Sequence, residues 1–225
     1  TLFADSDEAA LKRVPINALV RGDMRYADRI GDLFSAKAYD ADRKAQTADL
    51  KRLMKINRAA LNPTDQIAYD TFKWQTELNL KGLSKNMLAL TAVRPLDHFY
   101  GMHTWYPDVA SGEGAAPFKT LADYENNLKR HKEFLSNLDT AIAQFRSGLK
   151  TGVVQPKLIV NNMIEQLDTQ IAQGVDGSTF YKPVLKFPDG ISAADQTRLK
   201  ADYAATIRDG IVPAYQKLRA FLKDE

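Results

Sequence analysis

The chain contains no cysteine, and that absence excludes disulfides, structural thiolate-zinc sites and a cysteine nucleophile. It does not choose a compartment, since cytoplasm and periplasm both accommodate cysteine-free proteins. Histidine is scarce too, with three in 225 residues, and there is no His-Glu-x-x-His helix to hold zinc. No apolar stretch approaches the ~20 residues that a membrane span needs. A dominant sign of charge is also missing: 31 basic and 28 acidic residues are interleaved for a net +3, which argues against a nucleic-acid partner. The longest basic run, Lys129-Arg130-His131-Lys132, falls inside a helical pattern and reads as a solvated helix face. The first residues, TLFADSDEAALKRVP, have neither the basic start nor the apolar core of a signal peptide, and no initiator methionine, so a processed or excised chain is expected.

What the sequence does have is helical periodicity. From Thr120, a capping residue with Asp123 three positions on, the residues Leu121, Tyr124, Leu128, His131, Leu135, Leu138, Ile142, Phe145 and Leu149 recur at steps of three and four until Gly152. That stripe predicts one long helix packed lengthwise against others. A short helix is expected from Ser6 or Asp7 to just before Pro15, and another carrying Leu50, Leu53, Met54, Asn57 and Leu61 up to Asn62-Pro63. Pro63 or Thr64 restarts the chain with Ile67, Phe72 and Leu78 facing inward, and Pro156 opens a helix with Leu158, Met163, Leu167 and Ile171 inward. The last helix starts at Ser192 and should bend or break at Pro213. No alternating pattern supports a sheet. The expectation is an all-α single domain over 1–225, a bundle of long antiparallel helices with two long irregular loops at about 94–118 and 173–191.

One of those loops holds the most chemically loaded stretch, RPLDHFYGMHTWYPDV. His98 and His103 are five apart, about 140° on a helix, so they cannot share a metal there. In a loop they could, with Asp97 or Asp108 as a third ligand, but a loop bounded by Pro95 and Pro107 more plainly fixes itself through aromatic packing and histidine hydrogen bonds. If the loop is open to a ligand, the contact residues are His98, Tyr100, His103, Trp105 and Tyr106. His131 lies on the apolar stripe and reads as a satisfied, partly buried histidine. The run SGEGA has no preceding strand to make it a phosphate cradle, and Asp28, Arg29 and Asp32 read as ion pairs at a helix start. No catalytic residue and no metal ligand emerges from this chemistry.

The order of elements, however, resembles a known family. RVPINALVRGDMRYADRIGDLFS, then YENNLKRHKEFLSNLDTAIAQFRSGLKTGVVQPKLIVNNMIEQL, then IVPAYQKLRAFLKDE is similar to the N-terminal half of the bacterial family called domain of unknown function 885. The matching residues are Pro15, Gly22, Tyr26, Asp28-Arg29, Asp32, Gly148 or Gly152 with Pro156, Gln166, Pro213-Ala214-Tyr215, Leu218 and Phe221-Leu222. The resemblance implies a zinc-metallopeptidase-like protein, often exported to the periplasm or lipid-anchored, whose Gly-His-His helix and downstream glutamate lie in a C-terminal half. Neither motif occurs here, so no ligand carries over and any zinc would belong to that other half. By this reading the chain is a non-catalytic helical part that walls or caps a substrate cleft. Its partners would be the C-terminal catalytic half and a peptide-like substrate. The alternative is a self-sufficient helical binding module, exported or cytoplasmic, with no enzymatic activity.

Overall fold

Thr120 does open the longest helix. Its hydroxyl accepts from the Asp123 amide while the Asp123 carboxylate accepts from the Thr120 amide, and the helix runs Leu121–Thr151 before Gly152 stops it at φ 75°. The left-handed φ there requires glycine, because a side chain would collide with the following carbonyl. The structure, a computed structural model, describes residues 1–225 and contains ten α-helices and no strand. They are α1 (Leu2–Arg13), α2 (Ile16–Val20), α3 (Ala36–Leu53), α4 (Pro63–Gly82), α5 (Lys85–Thr91), α6 (Met102–Ala110), α7 (Leu121–Thr151), α8 (Lys157–Ala172), α9 (Ala193–Thr206) and α10 (Val212–Asp224). None is long and apolar enough to cross a membrane.

The main core surrounds α7. Phe134, Leu138, Ile142 and Phe145 meet Tyr106 of α6, Met163 and Leu167 of α8, and Tyr215, Leu218 and Phe221 of α10 in one buried cluster. Helices α9 and α10 are one rod, joined through a wide helical turn at Ile207–Ile211 just ahead of Pro213. Proline cannot donate to the carbonyl four residues back, and the wider turn absorbs its ring. This rod runs beside α7 in the same direction: Tyr203 bonds to Tyr124, Lys217 to Asp139 and Arg146 to Glu225. Helix α8 is the antiparallel member, with Arg219 of α10 on its Asp168. A smaller cluster of Tyr124, Val184, Ile191, Leu199 and Tyr203 closes the far end.

Helices α1, α3 and α4 form a second layer. Ser6 to Asp49 and Arg13 to Asp42 show that α1 and α3 are antiparallel. Asp32 pins the start of α3 not by the expected ion pair but by accepting from the Phe34 and Ser35 amides and the Ser35 hydroxyl, while Arg29 lies 3.9 Å from Asp28.

Several expectations from the sequence are corrected. Helix α1 begins at Leu2, a turn before Ser6, and α3 stops at Leu53, well short of Asn62-Pro63. Asn57 is the reason for the second: its side chain accepts from the Ala59 amide and stabilises a single tight turn over Arg58–Ala60 in place of more helix. Of the three inward residues assigned to α4, only Phe72 turns inward, against Phe3 at 4.8 Å; Ile67 and Leu78 are exposed, as is Leu158 of α8. The loop at 94–118 encloses α6, and that at 173–191 encloses a tight helical segment over Thr179–Val184. Lys129-Arg130-His131-Lys132 is no solvated face, since Arg130 and His131 are fully inside. Four consecutive residues cover more than one turn of helix, so the run straddles the buried side.

Candidate functional site

The loaded stretch divides into an outward half and an inward half. Asp97 creates the first: its Oδ1 accepts from the Phe99 and Tyr100 amides, both at 2.7 Å, and the resulting turn throws both aromatic rings outward. Phe99 is 72% exposed and Tyr100 84%. With Arg94, His98, Gln155 and Ile159 they border an open cleft of about 370 Å³.

Two glutamines stitch this stretch down. Gln155 donates to the Leu96 carbonyl at 2.8 Å, and Gln166 of α8 donates to the His98 carbonyl at 2.9 Å. The Oε1 of Gln166 then faces His103 Nε2 at 3.2 Å. Because that oxygen can only accept, His103 carries its proton on Nε2, and Nδ1, buried without a partner, keeps a lone pair. Burial pushes the His103 pKa down to about 4, so the ring is neutral near pH 7. His98 also leaves a buried Nδ1 unpartnered.

The inward half is sealed into the core. Pro107 lies within α6 and leaves the His103 carbonyl without its helical donor; the Tyr215 hydroxyl of α10 supplies a replacement at 3.2 Å. Tyr106 stacks on Phe134 at 4.6 Å and shares a 3.0 Å hydrogen bond with His131 Nδ1. Asn127 fixes the other side of that imidazole. Arg130 donates to Asn127 Oδ1 at 2.9 Å, which turns the amide nitrogen toward His131 Nε2 at 3.3 Å and Tyr203 Oη at 3.0 Å. His131 Nε2 therefore accepts, and Nδ1–H donates to the Tyr106 oxygen. Burial pushes His131 down to about 3. Arg130 also donates to the Ala27 carbonyl, tying α7 to the segment before α3.

Of the five residues expected to meet a ligand, then, only His98 and Tyr100 border the outer cleft. His103 and Tyr106 are buried, and Trp105 lies between, half-buried and edge-on to Tyr106 at 6.0 Å. The five do not converge on one surface. No three His, Asp or Glu side chains come together as a metal would require. The residues that sequence reasoning did not single out by chemistry are Asn127, Arg130 and Gln166. The signal was there for all three, since each puts a polar group on the apolar face of its helix, and an inward polar group must find partners.

A second open groove, about 400 Å³, lies where α7, α8 and α10 meet, with Phe145, Leu149, Val154, Val160, Ile164 and Phe221 in its walls. The two clefts adjoin at Gln155, which lines both. Around them stand Leu149, Val154 and Leu158, the last 70% exposed.

Fold and site together describe an all-α helical protein whose histidines are structural or half-buried and whose clefts beside the start of α8 are edged by exposed apolar and aromatic side chains. Residues 15–225 match the family described as bacterial protein of unknown function (DUF885), and the chain belongs to that family. No protein of curated function matches it.

Proposed function

We propose that the chain is one helical domain, the non-catalytic N-terminal part of a zinc-metallopeptidase-like protein, and that it walls or caps a substrate cleft. The observation that carries this reading is the apolar and aromatic surface around the start of α8, where two adjoining clefts are edged by exposed Phe99, Tyr100, Leu149, Val154 and Leu158. Contiguous exposed apolar surface of this kind marks a contact with another segment, partner or ligand. In this reading the groove at Phe145 and Phe221 receives a C-terminal catalytic half, and Tyr100 with His98 touches a peptide-like substrate. Aromatic rings with a polar tip bury area yet keep a hydrogen bond. Zinc is held by the other half, and the protein works after export, in the periplasm or on a lipid anchor.

The test is to read the gene beyond the codon for Glu225 and assay the full-length product on peptides. The reading expects a Gly-His-His helix and a later glutamate, zinc-dependent cleavage, and a several-fold higher KM for Tyr100→Ala. A stop codon directly after Glu225 overturns it, and unchanged kinetics in His98→Ala, Tyr100→Ala and Trp105→Ala remove the loop from substrate contact. One observation favours the alternative of a self-sufficient binding module: the core around Phe134 closes within this chain. In that case residues 1–225 run as a clean monomer that does not bind a hydrophobic dye.

A further inference from the structure

Away from α8, the inner faces of α1, α2 and the first half of α3 leave an open cleft of about 490 Å³ that shares no residue with the clefts at Gln155. Its size suits a small molecule. Val14, Leu33, Ala38 and Ala41 give it apolar walls, while Arg13, Asn17, Lys37 and Gln46 supply polar groups.

The partners of those groups decide what the cleft can hold. Both acids lining it have partners: Asp42 accepts from Arg13 at 3.0 Å on one oxygen, and Asp32 accepts from the Phe34 and Ser35 amides and the Ser35 hydroxyl. The donors keep unused N–H groups. Arg13, whose side chain is only 22% exposed, uses one of its five N–H groups, on Asp42. Lys37 forms no ion pair, and the amides of Asn17 and Gln46 have no protein partner although both line the cleft. Two cations and two acids line the cleft; with Asp42 offset by Arg13 and Asp32 filled by amides and a hydroxyl, the remaining N–H groups of Arg13 and the unpaired Lys37 are left to meet an anion with an apolar body. A guanidinium with free N–H groups matches a carboxylate best.

We propose that this cleft binds a small organic acid, its carboxylate held by Arg13 and Lys37 and its apolar body laid against Val14, Leu33 and Ala41. The site is independent of the peptidase-like role and survives its failure. The test is an NMR titration of the 15N-labelled chain with 4-phenylbutyrate, and with 4-phenylbutanol as the uncharged control. The expected result is saturable shifts at the Asn17 and Gln46 side-chain amides, with a dissociation constant on the order of 1 mM and binding of the alcohol at least ~10-fold weaker. Lys37→Gln, at an exposed position, should weaken the acid about fivefold, and Arg13→Gln by more. If Arg13→Gln fails to fold, Lys37→Gln decides. Equal shifts with acid and alcohol, shifts confined to the groove at Phe145 and Phe221, or no saturation by about 20 mM overturns the proposal.

Discussion

Helices α7 and α4 both carry apolar residues at helical spacing, yet α7 buries eleven residues and α4, twenty residues long, only Thr76. The difference lies in the neighbours. Helix α7 is enclosed by α6, α8 and the α9–α10 rod, so most of its stripe is covered, with Leu149 at its end left exposed. Helix α4 packs on α3 and touches α1 at Phe72, while Ile67, Leu78 and Trp74, the last at 62% exposure, face outward. Periodicity reports that a helix has an apolar side; it says nothing about how many partners arrive to cover it. The two layers consequently depend on different forces. The bundle rests on dispersion and burial; the α1–α3–α4 layer buries less and is laced with half-exposed ion pairs such as Arg52 to Asp5 at 2.6 Å and Arg58 to Asp70 at 2.6 Å, each worth little on its own.

That contrast can be broken most forcefully at Phe134, which is fully buried against Tyr106, Phe180 and Tyr215. Phe134→Ala should lower unfolding stability by about 3–5 kcal/mol through lost burial and the cavity left behind. Urea unfolding checks it, and a loss below ~1 kcal/mol would show that burial around α7 contributes no more than the outer layer does.

Acid should act on the bundle next. Burial holds His103 at about 4 and His131 at about 3, below the ordinary value of 6.5. A depressed folded-state pKa means that the unfolded chain binds protons first. Stability is therefore complete above pH ~6.5 and is lost as pH falls toward the folded values, with a limiting slope of about 1.4 kcal/mol per pH unit for each ring. Unfolding at pH ~4.5 should be easier than at pH ~7.5 by about 2 kcal/mol per histidine; identical stability at the two values would contradict the buried, neutral assignment.

Glu133 joins the layers more gently. Its carboxylate accepts from the Ile30 and Gly31 amides at 2.6 and 2.8 Å, pinning the segment that leads into α3. Glu133→Ala should cost about 1–2 kcal/mol, and the Ile30 and Gly31 amides should lose hydrogen-exchange protection before those of α7 do. Smallest are changes in the outer layer. Trp74→Ala should stay within about 0.5 kcal/mol. Arg52→Ala should cost less than about 1 kcal/mol, a loss that shrinks further in high salt. A loss above ~2 kcal/mol in either variant would mean that the outer layer is held as tightly as α7.

The loaded stretch shows how legible a site can be. The plainer expectation of aromatic packing with histidine hydrogen bonds describes its inner half, where Tyr106 meets His131 and His103 meets Gln166. The helix within it was hidden, because α6 has only nine residues and carries Pro107 inside it, too little for a periodic signal. Which aromatics face outward was hidden as well, since that depends on a turn built by Asp97 and on two glutamines, one ahead of α8 and one within it.

By itself, the sequence determined the all-helical class, the Thr120 cap, the Gly152 stop, the disturbance at Pro213 and the identity of the long central helix. These signals act within a turn or two of backbone, through side chains reaching adjacent amides and through rings that forbid a hydrogen bond. Tertiary structure alone decided that α4 is left half-bare, that Arg130 lies inside, and that the carbonyl freed by Pro107 is satisfied by Tyr215, 112 residues away. Burial depends on which elements meet, and a buried polar group takes whatever partner the packing brings within reach.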